Sequence, residues 1–184
     1  GGPRQLVTLP NAISAKDFAR PSATVRQEAR RQLGLADAGR VLLQVGLLDS
    51  AKGAPELAEA FLRMRPTMAV GTVLAFAGMG PAESELKALA SKSEGSVRLL
   101  GQLAPERVQA ALWAADVFIL NTRRDANPLS AIEASAAGLP IVMSAAAGNI
   151  GEIVEAPDAG FVIRDPADPT ETLRAVLSAS DEQL

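Results

Sequence analysis

The sequence predicts an α/β domain built on a parallel sheet of about six strands with helices on both faces. Three observations carry that expectation. Short apolar runs alternate strictly with stretches of helical spacing. The runs are continuous and not alternating, as in strands buried on both faces. Each run closes on a turn signal, and 184 residues suffice for one domain with a sizeable core, so 1–184 reads as a single unit.

Five runs define the centre of the sheet: Val41-Leu42-Leu43-Gln44-Val45-Gly46, Val73-Leu74-Ala75-Phe76-Ala77-Gly78, Val97-Arg98-Leu99-Leu100-Gly101, Asp116-Val117-Phe118-Ile119-Leu120-Asn121 and Pro140-Ile141-Val142-Met143-Ser144. Gly160 to Ile163 reads as a sixth strand. Between the runs, apolar residues recur at three and four: Leu57, Ala60, Phe61 and Met64; Leu86, Leu89 and Ala90; Val108, Ala111 and Leu112; Leu129, Ile132 and Ala136. At the flanks, Gln5 to Leu9 reads as another strand ended by Pro10-Asn11, Ser22 to Leu33 as an amphipathic helix, and Pro169 to Leu177 as a closing helix. The helix at 22–33 carries Arg26, Arg30 and Arg31, which are expected on a solvated face, with contact to a membrane surface as the alternative.

Composition narrows the chemistry. With no His, Cys or Tyr, the usual nitrogen and sulfur zinc sites, the Ser-His and Cys-His nucleophile pairs, and imidazole proton transfer are all excluded. A net charge of −3 with 18 Lys and Arg argues against a nucleic-acid binder. Absence of cysteine suits a cytoplasmic protein. No run approaches a membrane span, and Gly1-Gly2-Pro3-Arg4 is not a signal-peptide pattern. The chain starts without Met, which fits a trimmed fragment.

In an open parallel sheet, ligands bind where strands exit into helix N-termini with free N–H groups. The exit at Gly78-Met79-Gly80-Pro81 is a partial dinucleotide fingerprint with Glu83 at the third glycine position. The next strand ends in Leu100-Gly101-Gln102 with no acid for a ribose, although Arg98 would suit an extra phosphate. A tight structural turn is the expectation for this glycine pair, and a dinucleotide-dependent oxidoreductase is the weaker alternative. The first exit, Leu47 to Gly53, places Lys52 just before a helix opened by Pro55. A cation there opposes the helix dipole unless an anion binds, so Lys52 is either an anion contact or a solvated loop lysine.

The fourth exit is the richest. Asn121-Thr122-Arg123-Arg124-Asp125-Ala126-Asn127-Pro128-Leu129-Ser130 leads to Glu133, with Asn127 expected to cap a helix begun by Pro128. Asp125 on the loop and Glu133 on the second helical turn could flank a ligand, since a carboxylate matches the two hydroxyls of a vicinal diol. The competing expectation for Glu133 is an ordinary helix-dipole or capping role with Ser130.

Taken in order, a set of motifs resembles the retaining glycosyltransferases of the two-Rossmann-domain (GT-B) type, family 4-like, in their donor-binding half. The set comprises Leu9-Pro10-Asn11, Val45-Gly46 with Lys52-Gly53, Gly78-Met79-Gly80-Pro81, Leu99 to Leu103, Ala114-Ala115-Asp116-Val117, Asp125 followed by Glu133, Gly138-Leu139-Pro140, and Gly148 to Ile153. The resemblance implies a Rossmann-like C-terminal domain that binds a nucleoside diphosphate sugar, UDP- or GDP-linked, without a metal or other cofactor. The partner N-terminal domain would bind the acceptor, whether glycan, lipid or small molecule. By the same resemblance Lys52 contacts the diphosphate beside Gly46, Asp125 holds the donor sugar, and Glu133 takes the ribose hydroxyls. The backbone at Asn127, Pro128 and Leu129 approaches sugar and phosphate, and that around Gln102 and Leu103 receives the base. Two departures stand out: Leu47 replaces the usual second cation, an Arg, and Asp125 replaces a Glu. Leu47 keeps open a degenerate, non-catalytic nucleotide-binding or interaction module. The family's setting implies a cytoplasmic protein, with a peripheral place at the inner face of a membrane as a further expectation.

Overall fold

The computed structural model describes residues 11–154 and 160–179; the strand expected at Gln5 to Leu9 lies outside them. Six parallel strands form one sheet in the order β3-β2-β1-β4-β5-β6. They are β1 (Arg40–Val45), β2 (Thr72–Ala77), β3 (Val97–Gly101), β4 (Val117–Leu120), β5 (Ile141–Ser144) and β6 (Gly160–Ile163). The helices are α1 (Ala15–Phe18), α2 (Ala23–Gln32), α3 (Ala54–Met64), α4 (Glu83–Ser91), α5 (Pro105–Ala114), α6 (Leu129–Ala136), α7 (Ile150–Ile153) and α8 (Thr170–Ser178). The order reverses between β1 and β4, which makes the crevice outside their carboxyl ends the topological switch point.

Two apolar layers sandwich the sheet. On one face Leu42, Leu74, Phe76, Val117 and Ile119 pack with Leu57, Phe61 and Leu86 of α3 and α4 and with Leu173 of α8. On the other, Leu43, Ala75 and Phe118 pack with Ala29, Leu112, Ala131 and Ala134 from α2, α5 and α6. The side chains of Phe61, Phe76 and Phe118 are fully buried, each worth roughly 1.5–3 kcal/mol on removal from water. Because both faces are covered, the strands needed no polar alternation, which is why continuous runs marked them.

Several local expectations are corrected. The apolar face expected on α6, Leu129, Ile132 and Ala136, is not the one that is buried: Ala131 and Ala134 are, while Leu129 is 48% exposed. Alanines let the helix approach the sheet closely, which leaves the larger residues at its rim. Asn127 is not the cap of that helix either. The helix starts at Leu129, Pro128 precedes it without a side-chain cap, and Asn127 Oδ1 instead accepts from Asn149 Nδ2 at 2.9 Å.

The arginines of α2 are the third correction. Arg26 and Arg30 are only 30% and 16% exposed and both engage the carboxylate of Asp116, Arg30 at 2.6 Å. Only Arg31 is the expected surface residue, paired with Glu28 one turn back. Asp116 also accepts from Val41 N–H at 2.7 Å, so one carboxylate clamps α2 to the starts of β1 and β4.

Candidate functional site

The structure brings Lys52 and Asp125 into an ion pair, with both side chains mostly shielded from water. They arrive from different strands. Lys52 ends a 3-10 turn (Ser50–Lys52) whose start is capped by Asp49, the Lys52 N–H donating to Asp49 Oδ1 at 2.8 Å. Gly53 then takes the left-handed conformation (φ +57°) and α3 begins, with Pro55 in its first turn. Lys52 is therefore not a solvated loop lysine.

Asp125 belongs to the β4 exit loop. Its Oδ1 accepts from Asn127 N–H at 3.2 Å, and its carbonyl accepts from Gly148 N–H at 2.8 Å. With the Asn127–Asn149 bond, these contacts tie loop 125–127 to loop 147–149, which leaves β5. Gly148 is required there, because a Cβ would overlap the Ala126 carbonyl oxygen. On the same loop as Asp125, Arg123 pairs with Glu56 at 2.7 Å. Arg124 is exposed on the loop.

Gly46, Gln102 and Leu103 share one open cavity of about 260 Å³, lined also by Val45, Leu47, Met79 and Val108. It lies beyond the carboxyl ends of β1, β2 and β3, is lined largely by apolar side chains and can take a planar, weakly polar group. The pair Gly78 and Gly80 forms the tight turn expected of it. A Cβ on Gly78 would strike the Gly46 carbonyl oxygen and one on Gly80 the Leu48 carbonyl oxygen, so these glycines serve loop-to-loop packing. Arg98 makes a two-pronged pair with Asp37 at 2.7 Å per bond, which holds the Asp37 carboxyl down at about 2. It is thereby taken from the dinucleotide alternative.

Glu133 sits half-buried on the second turn of α6, and its carboxylate has no ion-pair or hydrogen-bond partner among the described residues, Ser130 included. Burial raises its carboxyl pKa above the ordinary value. The capping bond to Ser130 offered as the alternative is not formed. Leu47, Met79 and Leu129, each about half exposed, stand on the same strand-exit edge. No three acidic side chains among the described residues are grouped to hold a metal ion.

Sequence reasoning passed over the residues that hold the Lys52 turn. Gln44 Nε2 donates to the Lys52 carbonyl at 3.3 Å, Asn121 Nδ2 to the Gly53 carbonyl at 3.0 Å, and Thr122 Oγ1 to the Ala51 carbonyl at 3.0 Å. The one available signal was a glutamine inside an otherwise apolar strand run.

The chain matches the family "Glycosyl transferases group 1" over residues 25–183. It belongs to that family. A D-inositol 3-phosphate glycosyltransferase of Geodermatophilus obscurus is 34% identical across 96% of the chain, and the chain spans 41% of that protein. Anabaena HepE, crystallised with UDP-glucose, shares the fold with a TM-score of 0.76 at 22% identity, over 90% of this chain and 45% of that one. The C-terminal domain of a Francisella tularensis group 1 glycosyltransferase, LpcC, superposes with a TM-score of 0.78 at 17% identity, over 94% of this chain and 91% of that one. The group 1 domain is thus a Rossmann-like half of the GT-B architecture, from a family of enzymes. Among its described residues no helix is long and apolar enough to cross a membrane.

Proposed function

We propose that this group 1 domain is the C-terminal, donor-binding half of a retaining glycosyltransferase, family 4-like, and that residues 1–184 form one such unit. Its ligand is a nucleoside diphosphate hexose, UDP- or GDP-linked. The observation that carries the proposal is the shielded Lys52–Asp125 pair at the switch point, on the strand-exit side of the sheet that also holds the apolar cavity and the carboxylate of Glu133, which has no partner among the described residues. The base enters the cavity at Gly46, Gln102 and Leu103, Glu133 takes the ribose hydroxyls, and the diphosphate meets Lys52. Asp125, with the backbone at Asn127, Pro128 and Leu129, faces the sugar. The fold shared with a protein crystallised with UDP-glucose is in keeping with that ligand class.

Fixed positive charge at Lys52 stabilises the leaving diphosphate as the bond from the sugar C1 to the phosphate oxygen breaks. The electron pair goes to that oxygen. The acceptor hydroxyl bonds C1 from the same face, and its proton passes to the departing phosphate, so no metal or side-chain base is assigned. The acceptor, a glycan, lipid or small molecule, belongs to a second, N-terminal domain, so the 184-residue chain binds donor without appreciable transfer. Placement in the cytoplasm, peripheral to the inner face of a membrane, is part of the same proposal.

A second reading, a non-catalytic nucleotide-binding or interaction module, is favoured by exposed Leu47 in the place of the usual Arg. Titration calorimetry with UDP-glucose, GDP-mannose, NAD and NADP tests the assignment. One sugar nucleotide should bind and neither dinucleotide should, with Glu133→Ala weakening the complex about tenfold or more. Loss of all sugar-nucleotide binding in the parent, or Glu133→Ala binding as well as the parent, overturns it.

A further inference from the structure

In and just beyond the sheet lie two fully buried amides whose oxygens are left unpaired among the described residues. Gln44 is fully buried on β1, on the same face as Leu42, and Asn121 is fully buried immediately after β4. Each leaves its amide oxygen without a hydrogen-bond partner among the described residues. A buried, unpartnered oxygen opposes folding, and an apolar side chain of the same shape would remove that penalty. What the two amides have in common is the Lys52 turn. Gln44 fixes the Lys52 carbonyl and Asn121 the Gly53 carbonyl, while the Asn121 amide also donates to the Pro166 carbonyl at 2.9 Å. Packing around this clamp is tight: a Cβ on Gly53 would overlap both the carbonyl oxygen and the side-chain amide of Asn121. The Arg123 N–H and the Thr122 hydroxyl hold the Ala51 carbonyl, at 2.7 and 3.0 Å, and complete the grip on the turn from the β4 side.

We infer that Gln44 and Asn121 are positioning residues for Lys52. They spend stability to fix the two carbonyls that follow the lysine, those of Lys52 and Gly53, so that the ammonium stays at the switch point when an anion displaces Asp125 from it. A long lysine on an unclamped turn would lose that placement to rotamer freedom. Asn121 also joins the turn to segment 164–169, so the cation is referenced to the β6–α8 connection as well as to the sheet. The inference rests on the donor-site proposal only in naming the anion as a diphosphate.

The decisive variant is Gln44→Met, close in shape but with no donor and no buried oxygen. Two readouts separate positioning from plain structural support. In calorimetry UDP affinity should fall about tenfold while uridine, which lacks the diphosphate, stays within about twofold and the melting temperature holds or rises. In a Lys52→Ala background the same change should cost UDP no further affinity. Independently of any nucleotide, acetylation followed by peptide mass spectrometry should show Lys52 labelling several-fold faster relative to exposed Lys87 than in the parent. Asn121→Leu should act in the same direction and more strongly, and serves if Gln44→Met folds poorly. UDP and uridine weakening together, or a Lys52 acetylation rate unchanged in both variants, overturns the inference. If the parent binds neither UDP nor GDP, the donor-site proposal fails, and the acetylation comparison alone decides for or against positioning.

Discussion

The two ends of the sheet use the same residue types to opposite effect. At the amino end of β4, Asp116 is saturated: Arg26, Arg30 and the Val41 N–H occupy its oxygens, and both guanidinium groups also bond backbone carbonyls. The cavity beside it, about 250 Å³ and lined by Arg20, Arg26, Trp113 and Asp116, therefore has its carboxylate already satisfied from within. At the carboxyl end, Glu133 has no partner among the described residues, large apolar side chains stand half exposed, and buried amides clamp a lysine turn. Asp116, with its partners supplied from within, is structural, whereas Glu133, left short of them in a half-buried place, is available to a ligand.

The sharpest way to break that contrast is Asp116→Ala. It leaves two largely shielded arginines and a backbone N–H without their acceptor. The expected cost is about 3 kcal/mol, read as a fall of roughly 6–12 °C in melting temperature. UDP affinity of the folded protein should be unchanged. A matching loss of affinity would mean that the amino end is coupled to the site. Gly148→Ala probes the other end. Its Cβ would push against the Ala126 carbonyl, at an expected cost of about 1–3 kcal/mol, and here stability and donor affinity should fall together, because the displaced loop carries Asp125 and Asn127.

How far these two ends could be told apart in sequence depended on how local each signal was. The strands were legible because burial on both faces makes continuous apolar runs, and reading the strand exits singled out Lys52 and Asp125, whereas Gly46, Gln102 and Leu103 were named through the family resemblance alone. Long-range partners were not legible. Nothing in the spacing of Arg26 and Arg30 announces Asp116, about 90 residues away. Asn127 fitted a cap by local rule, but its oxygen was taken by Asn149 from a loop 22 residues on. The α6 periodicity misled for a packing reason: where a helix must lie close to a sheet, alanines face inward and the larger apolar residues move to the rim. Gln44 and Asn121 were hidden because a single polar residue in a strand run does not show which carbonyl it serves.

A smaller effect is expected from restoring charge at the ligand end. Leu47→Arg places a second cation beside Gly46, where Leu47 is 51% exposed. UDP affinity should rise by up to about tenfold at low salt, and the gain should fade as ionic strength increases. No gain at any salt concentration would indicate that position 47 faces away from the diphosphate.

The smallest effect concerns the stability cost of burying the Glu133 carboxylate. Its folded-state pKa is raised above the ordinary 4.5 by burial, so ionisation is less favourable folded than unfolded. Glu133 therefore favours folding most below its unfolded pKa, and that advantage is lost as pH rises through the folded value. Glu133→Gln removes the titration. The variant should be slightly more stable than the parent at pH 7, by less than about 0.5 kcal/mol after solvent screening, and the gap should close as pH falls through the raised folded value and below 4.5. Melting temperatures of both proteins from pH 7 to pH 4 measure it. The same substitution should weaken UDP binding, so a carboxylate that opposes folding at neutral pH would be seen to act in recognition. If the variant is instead less stable at pH 7, Glu133 has a structural partner after all, and the distinction between the two ends of the sheet fails at the residue that defines it.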